Sequence, residues 1–211
     1  EIHRTDLSES VLMLHAAGID EATQFDWLDK PDLNAVAKAE ALLRSLGALA
    51  NYNGGGLTDV GRAMLRLPMH PRLARMIVEA GRRNCINEAA LCAAFMGGRH
   101  ILIRSARDDK NVQAAREPFR DGADSDFEVL IRAWQFANAR RYNVDDCRAH
   151  GIHAGACRDV ESAFQQIFRL AGTTDAQAAP DRSKSVALRH CILAAFADQL
   201  CVRRDSGTLV C

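Results

Sequence analysis

Apolar residues recur every three or four positions along most of the chain, the spacing that gathers them on one face of an α-helix. From Leu7 to Ala17 the pattern predicts a short helix closed by Gly18, since glycine readily takes the left-handed turn that ends helices. Asp20 heads a second helical run, "EATQFDWL", which has to stop before Lys30-Pro31 because proline drives the preceding residue out of the helical region. In "LNAVAKAEALLRSLGAL" a stripe of Val36, Ala39, Leu43 and Leu46 predicts a longer helix. The period breaks at "ALANYNGGGLT", where Gly54-Gly55-Gly56 between two short apolar runs predicts a hairpin. Thr58 is placed to cap "DVGRAMLRL", a helix expected to end at Pro68. Helix, helix, hairpin and helix in this order outline a winged-helix unit.

Past the elbow Leu67-Pro68-Met69-His70-Pro71 the pattern is almost wholly helical. Leu73, Met76, Ile77 and Ala80 form one apolar face. "NEAALCAAFM" reads as a buried central helix ending at Gly97-Gly98, and "RHILIRSARDDKN" as a loop with basic side chains. Ser125 and Glu128 have the spacing of a capping box and open a helix that turns Phe127, Leu130, Ile131 and Trp134 inward. "ACRDVESAFQQIFRLAG" is expected to bury Val160, Ala163, Phe164, Ile167 and Phe168. "TTDAQAAPDRSKS" has the small, polar make-up of a mobile linker. A last helix, "VALRHCILAAFADQL", points Leu188, Ile192 and Phe196 inward, and "CVRRDSGTLVC" reads as strand, turn and strand. The expected class is mainly α: a winged-helix domain over 1–67, a helical bundle over 68–200 and the first strands of a β module over 201–211.

Composition narrows this little, but charge sharpens it. The 211 residues are 48% hydrophobic and 26% charged, within the ordinary globular range. No uncharged apolar run reaches the ~18 residues that a membrane span needs. The chain opens on Glu1 and stops at Cys211 in an expected strand, which reads as a piece of something longer. Seven scattered cysteines without a C-x-x-C read as reduced thiols filling core positions, and so as a cytoplasmic protein. The net charge of zero hides a segregation. Residues 1–59 hold 4 Lys/Arg against 10 Asp/Glu, whereas residues 60–110 hold 10 against 4. A basic centre beside an acidic flank fits an anionic partner at the centre, or else solvated helix faces that happen to cluster.

Catalytic signatures are missing. The sequence has no G-x-x-x-x-G-K-[ST] phosphate loop, no G-x-S-x-G elbow, no H-E-x-x-H and no dinucleotide fingerprint. Cys147, His150, His153 and Cys157 in "CRAHGIHAGAC" could in principle close on one tetrahedral zinc, but the gaps are not those of a common finger. A loop-to-helix junction with a buried thiol is the plainer reading. His70 is better read as a turn or capping residue than as a base, with no carboxylate near it in sequence. Trp134 and Phe136 could stack on bases, although Trp134 lies in an apolar stripe. The arginines 62, 66, 72, 75, 99, 104 and 107, with Lys110, carry the most functional promise, since a guanidinium fork suits phosphate.

The run "GLTDVGRAMLRLPMHPRLARMIVEA" strongly resembles the helicase-associated region of DEAH-type RNA helicases, in which such a segment joins a winged helix to a helical ratchet domain. The resemblance extends over essentially the whole chain. "EIHRTDLSESVLMLHAAGID" looks like the exit from a RecA-like domain, placed at 1–6, into the winged helix. "DFEVLIRAWQFA" looks like the first large ratchet helix. "CRAHGI" with "ACRD" and "ILAAFADQLCVRR" looks closest to the bacterial HrpB-like branch, where the last segment leads into an oligonucleotide-binding (OB-like) barrel. Cys147 and His150 match recurring positions in relatives, whereas His153 and Cys157 do not, which weakens the zinc reading. Relatives usually carry an arginine where this chain has Gly155, ahead of the retained Arg158.

The resemblance implies the non-catalytic C-terminal part of an ATP-dependent RNA helicase. Upstream RecA-like domains would bind ATP and magnesium and hydrolyse the nucleotide, and the ratchet would wall the channel for single-stranded RNA, with DNA as the alternative. Candidate strand-binding residues are Arg99, Arg104, Arg107, Lys110, Arg132, Arg140, Arg141 and Arg158. Candidate domain-junction residues are Arg62, Arg66, Pro68, His70, Pro71 and Arg72, the prolines presetting φ in the elbow. The chain itself would hold no catalytic residue, metal or cofactor, would not touch a membrane and would be a monomer. Two other readings remain at this point: a free-standing winged-helix nucleic-acid-binding protein with a helical dimerisation domain, and a zinc-dependent adaptor built on Cys147 to Cys157. The first needs a basic recognition helix, and residues 1–59 have the opposite charge.

Overall fold

The computed structural model describes residues 6–51, 56–104, 109–172, 184–203 and 209–210. Its order is α1 (Ser8–Ala16), α2 (Leu33–Ser45), α3 (Asp59–Met64), α4 (Pro71–Arg83), α5 (Ile86–Gly97), α6 (Lys110–Arg120), α7 (Asp126–Ala139), α8 (Val144–Ala149), α9 (Ala154–Leu170) and α10 (Ser185–Phe196). A 3₁₀ turn at Ala197–Gln199 and two short strands, β1 (Val202–Arg203) and β2 (Leu209–Val210), follow. The strands pair antiparallel, Val202 opposite Val210. The chain is mainly helical, as expected. It divides into two compact units, one formed by residues 1–84 with 186–211, the other by residues 85–185.

In the first unit α1 packs on α2 and α3 on α4. Both α1 and α2 end by one device. Gly18 and Gly47 take positive φ (84° and 70°), and the amides that follow reach back to Leu14 and Leu43 carbonyls. Val36, Ala39, Leu43 and Leu46 are buried as the stripe requires. The expected helix over "EATQFDWL" does not form: residues 21–30 are turns, in which the Trp27 indole donates to the Ala22 carbonyl (2.8 Å) that a helix would have given to an amide. The hairpin narrows to a bridge between Leu49 and Leu57; residues 52–55 at its tip lie outside the described residues. Thr58 caps α3 by accepting from Gly61 N. At Gly61 a Cβ would collide with the Ala48 carbonyl oxygen, so this glycine is required by sterics alone. In α10 the buried face is Leu188, Cys191 and Ala195; Ile192 and Phe196 are only half-buried.

The second unit is built around α5, buried from Asn87 to Ala94, with α9 and α7 packed against it. Ser125 caps α7 as expected, but Glu128 reaches past it to Asp124 N (3.1 Å). The buried face of α7 is Ile131, Ala133, Trp134 and Ala137, with Phe127 and Leu130 half-buried. In α9, Val160, Phe164 and Phe168 are buried while Ala163 and Ile167 are half-buried. The stretch expected as a basic loop is anchored at one point: Leu102 bridges Ile152, Ile103 N donates to Gly151 O (2.8 Å) and His153 N to Ile101 O (2.8 Å). The expected linker 173–183 lies outside the described residues.

Candidate nucleic-acid interface

The elbow residues belong to the first unit, where they tie together segments far apart in sequence. Pro71 opens α4 with its φ preset, and His70 caps it: Nδ1 accepts from Arg72 N (3.2 Å). That leaves Nε2 to carry the ring proton in the neutral form and donate to Asp6 Oδ2 at 2.9 Å. His70 is therefore a capping residue, with a carboxylate partner sixty-four positions away that its local sequence does not reveal. Burial works to raise the Asp6 carboxyl, but hydrogen bonds from Ser8 and His70 outweigh it and hold it below the usual carboxylate range.

Arg72 grips the end of α10. Its two terminal nitrogens meet both oxygens of Asp198 at 2.6 Å, one also donates to Ala195 O, and the guanidinium lies 5.3 Å from the Phe196 ring centre. The hydrogen bonds from Arg72 depress the Asp198 carboxyl. Arg75 Nε donates to Leu46 O at the end of α2, and its Nη1 meets Glu79, which also takes Arg83 (2.8 Å) and stands 3.8 Å from Arg82. Glu79 is buried, which raises its pKa, yet Arg75 and Arg83 bring it below the ordinary value. Arg62 closes on Asp59 (2.8 Å) and Leu57 O. Arg66 is exposed, and so is Pro68.

The arginines of the second unit behave otherwise. Among the described residues, Arg99, Arg104, Lys110, Arg140, Arg141 and Arg158 are all exposed and none has a carboxylate ion-pair partner. Arg104 lines a cleft of about 460 Å³ together with Leu102, Val129 and Leu130 and the carboxylates of Asp124 and Asp126. Arg99 Nη1 approaches His153 Nε2 at 3.2 Å, while His153 Nδ1 caps α9 at Ala156 N (3.1 Å). Gly155 sits beside that imidazole, where even a Cβ would come within 3.1 Å of it, so Arg99 stands at a ring that Gly155 leaves uncrowded. Arg140 lies over the Phe136 ring (3.7 Å), whose centre is 4.1 Å from that of His150. The next two residues, Arg141 and Tyr142, hold left-handed φ of 50° and 57°, unusual for side chains of their size. Tyr142 N bonds Ala137 O, and Arg158 donates to Tyr142 O (3.0 Å), which fixes this turn. Phe136 is half-buried between these contacts, and Trp134 is buried with its indole on Cys157 O.

Two arginines are committed to backbone. Arg132 donates to the Phe119, Asp121 and Gly122 carbonyls at the end of α6 and pairs with Glu128 (3.6 Å). Arg116, which the sequence pattern did not single out, is buried and donates to His150 O, Gly151 O and Ile103 O. Arg107 lies outside the described residues.

The Cys/His quartet is not assembled for metal. No group of three His, Cys, Asp or Glu that could hold an ion occurs among the described residues. His150 Nδ1 donates to Asp146 O and His153 Nδ1 is taken by the α9 cap, while burial raises the Cys147 thiol and pushes that of Cys157 up to about 12. Five buried cysteines are free, as core filler should be; Cys201, outside the helices, is only half-buried. No helix among the described residues is long and apolar enough to cross a membrane.

A short capped helix, a narrow hairpin and a proline elbow leading into a helical bundle define a helicase-associated module. Residues 39–69 match the model of the helicase-associated domain (HA2), winged-helix, and residues 70–188 that of the helicase-associated domain (HA2), ratchet-like; the chain belongs to this helicase-associated family. It is similar to the pre-mRNA-splicing factor ATP-dependent RNA helicase DEAH10 of Arabidopsis thaliana, 26% identical over 99% of this chain and 31% of that protein. It is also similar to the pre-mRNA-splicing factor ATP-dependent RNA helicase prp22 of Schizosaccharomyces pombe, 29% identical over 81% of this chain and 14% of that protein. The chain thus spans under a third of the length of these relatives.

Proposed function

We propose that the chain is the helicase-associated part of an ATP-dependent RNA helicase. In this reading the ratchet forms one wall of the channel for single-stranded RNA, and RecA-like domains of the same polypeptide supply ATP hydrolysis. The proposed domains are a winged helix over 1–67, a ratchet over 68–200 and the start of an OB-like module at 201–211. The break between the two family models, at 69 and 70, falls in the elbow.

The observation that carries the proposal is the set of exposed arginines in the second unit with no carboxylate partner among the described residues, in a chain of this family. Guanidinium groups left open on a rigid helical scaffold suit phosphates and are insensitive to base identity. Arg140 and Arg141, presented by the strained turn after α7, and Arg99, Arg104, Lys110 and Arg158 are the proposed contacts. Arg62, Arg72, His70 and the prolines instead hold the elbow. A free-standing winged-helix reader finds no support here, since Arg44 of α2 is paired with Glu40 and Arg62 of α3 with Asp59.

Fluorescence anisotropy of the protein with a labelled oligouridylate tests this. Binding should weaken steeply with salt, about 0.7 log unit of affinity per log unit of salt for each phosphate held, and ATP turnover should be absent. ATP hydrolysis by the protein alone, or no salt-dependent binding, would reject it.

A further inference from the structure

The α6 helix has the sequence "KNVQAAREPFR", and its buried positions are Val112, Arg116 and Phe119. An arginine occupies the middle of a core stripe, 3% exposed, where an aliphatic residue would ordinarily pack. Burying a guanidinium is costly unless its donors are satisfied. Arg116 meets that condition with backbone from two other segments: Nε to His150 O at 3.0 Å, Nη2 to Gly151 O at 2.5 Å and to Ile103 O at 3.2 Å. Gly151 has φ +60°, and a Cβ there would strike both the Arg116 guanidinium and Val112, so the loop is shaped around this side chain. The same two segments hold each other through Ile103 N to Gly151 O and His153 N to Ile101 O.

What these segments carry gives the arrangement its meaning. Residues 99–104 bear Arg99 and Arg104; residues 150–153 bear His150, against which packs the Phe136 ring that Arg140 covers, and His153, which Arg99 approaches. We infer that Arg116 is a positioning residue for the strand-binding face: it never meets the strand itself, but by forking between the 103 and 150–151 backbones it sets the spacing at which Arg99 and Arg104 are offered to successive phosphates. The inference rests on the proposed strand contacts of those two arginines. Lysine, a point donor without a fork, keeps the charge but cannot reproduce three divergent bonds.

The test is a double-mutant cycle on the protein, read as the slope of oligouridylate affinity against salt. R99A with R104A should flatten the slope by roughly 1.4, two contacts at about 0.7 each for a single strand. R116K should flatten it by a comparable amount although it removes no charge, and adding R99A and R104A to R116K should change it little further. Ile103 and His153 amides should exchange faster in R116K while those of α9 keep their protection. Should R116K not fold, Gly151→Ala displaces the same fork from the other side and enters the cycle in its place. A wild-type slope in R116K, or losses that simply add, overturns the inference. An unchanged slope in R99A with R104A rejects instead the strand-contact reading beneath it.

Discussion

Arginines are dense in both units, yet the two units use them in opposite ways. In the elbow and α4, Arg62, Arg72, Arg75 and Arg83 each meet a carboxylate within 3 Å, on Asp59, on Asp198 and on a Glu79 that two of them share. In the second unit Arg99, Arg104, Arg140, Arg141 and Arg158 are exposed without such partners among the described residues. A local excess of basic residues therefore locates an anion-binding surface poorly. What separates structural from available cations is whether a carboxylate stands one helical turn away, as at Arg62, Arg75 and Arg83, or is brought in from far along the chain, as Asp198 is to Arg72.

That contrast can be broken by substitution. The largest effect is expected at Glu79. Its removal (Glu79→Ala) takes away the buried carboxylate that the half-buried Arg75 shares with Arg83, a loss on the order of 2 kcal/mol in unfolding free energy by urea denaturation, with the RNA salt slope unchanged. Gly61→Ala follows at about 2 kcal/mol, because the Ala48 backbone must move to admit a methyl group. In the other unit, Arg140→Ala should cost under about 1 kcal/mol of stability, the value of an exposed cation–π contact, while lowering the salt slope by about 0.7. A stability loss as large as that at Glu79, or an unchanged slope, would erase the distinction.

The pH dependence sharpens it further. Glu79, Asp6 and Asp198 all have folded pKa values below their ordinary ones. Their contribution is complete above the ordinary carboxylate range and is lost as pH falls through the depressed values. Thermal melts should decline on acidification below about pH 4.5, and Glu79→Gln should show a smaller decline than wild type. A wild-type melting point independent of pH across that range would contradict the pairing. The smallest effect is expected from Arg66→Ala, an exposed position with no ion pair among the described residues, where stability should stay within about 0.5 kcal/mol.

Local signals in the sequence were informative where the chemistry is local. Thr58 and Ser125 cap the helices they precede, Gly18 terminates α1, and the stripe from Val36 to Leu46 is buried. Two errors have distinct physical origins. In "EATQFDWL" the competing bond from the Trp27 indole to the Ala22 carbonyl favours turns over a helix. In α6 the helical period was hidden because one of its core positions is Arg116 and because Pro118, in its last turn, has no amide to give the Ala114 carbonyl and reads as a helix breaker. The roles of the arginines were the least legible. Nothing near Arg72 in sequence announces Asp198, and nothing near Arg132 announces that its donors go to the carbonyls that end α6. Family resemblance located the module but could not say which of its cations are already taken.

The hold of Arg72 on Asp198, together with a first unit assembled from both ends of the sequence, bears on how this protein can be dissected. A fragment stopped at Asn84 keeps Arg72 but forfeits its acceptor, along with Leu188, Cys191 and Ala195. A self-standing version of that half should instead be an internal excision, keeping Val186 onward joined by a flexible bridge to Asn84 and leaving the intervening helices out.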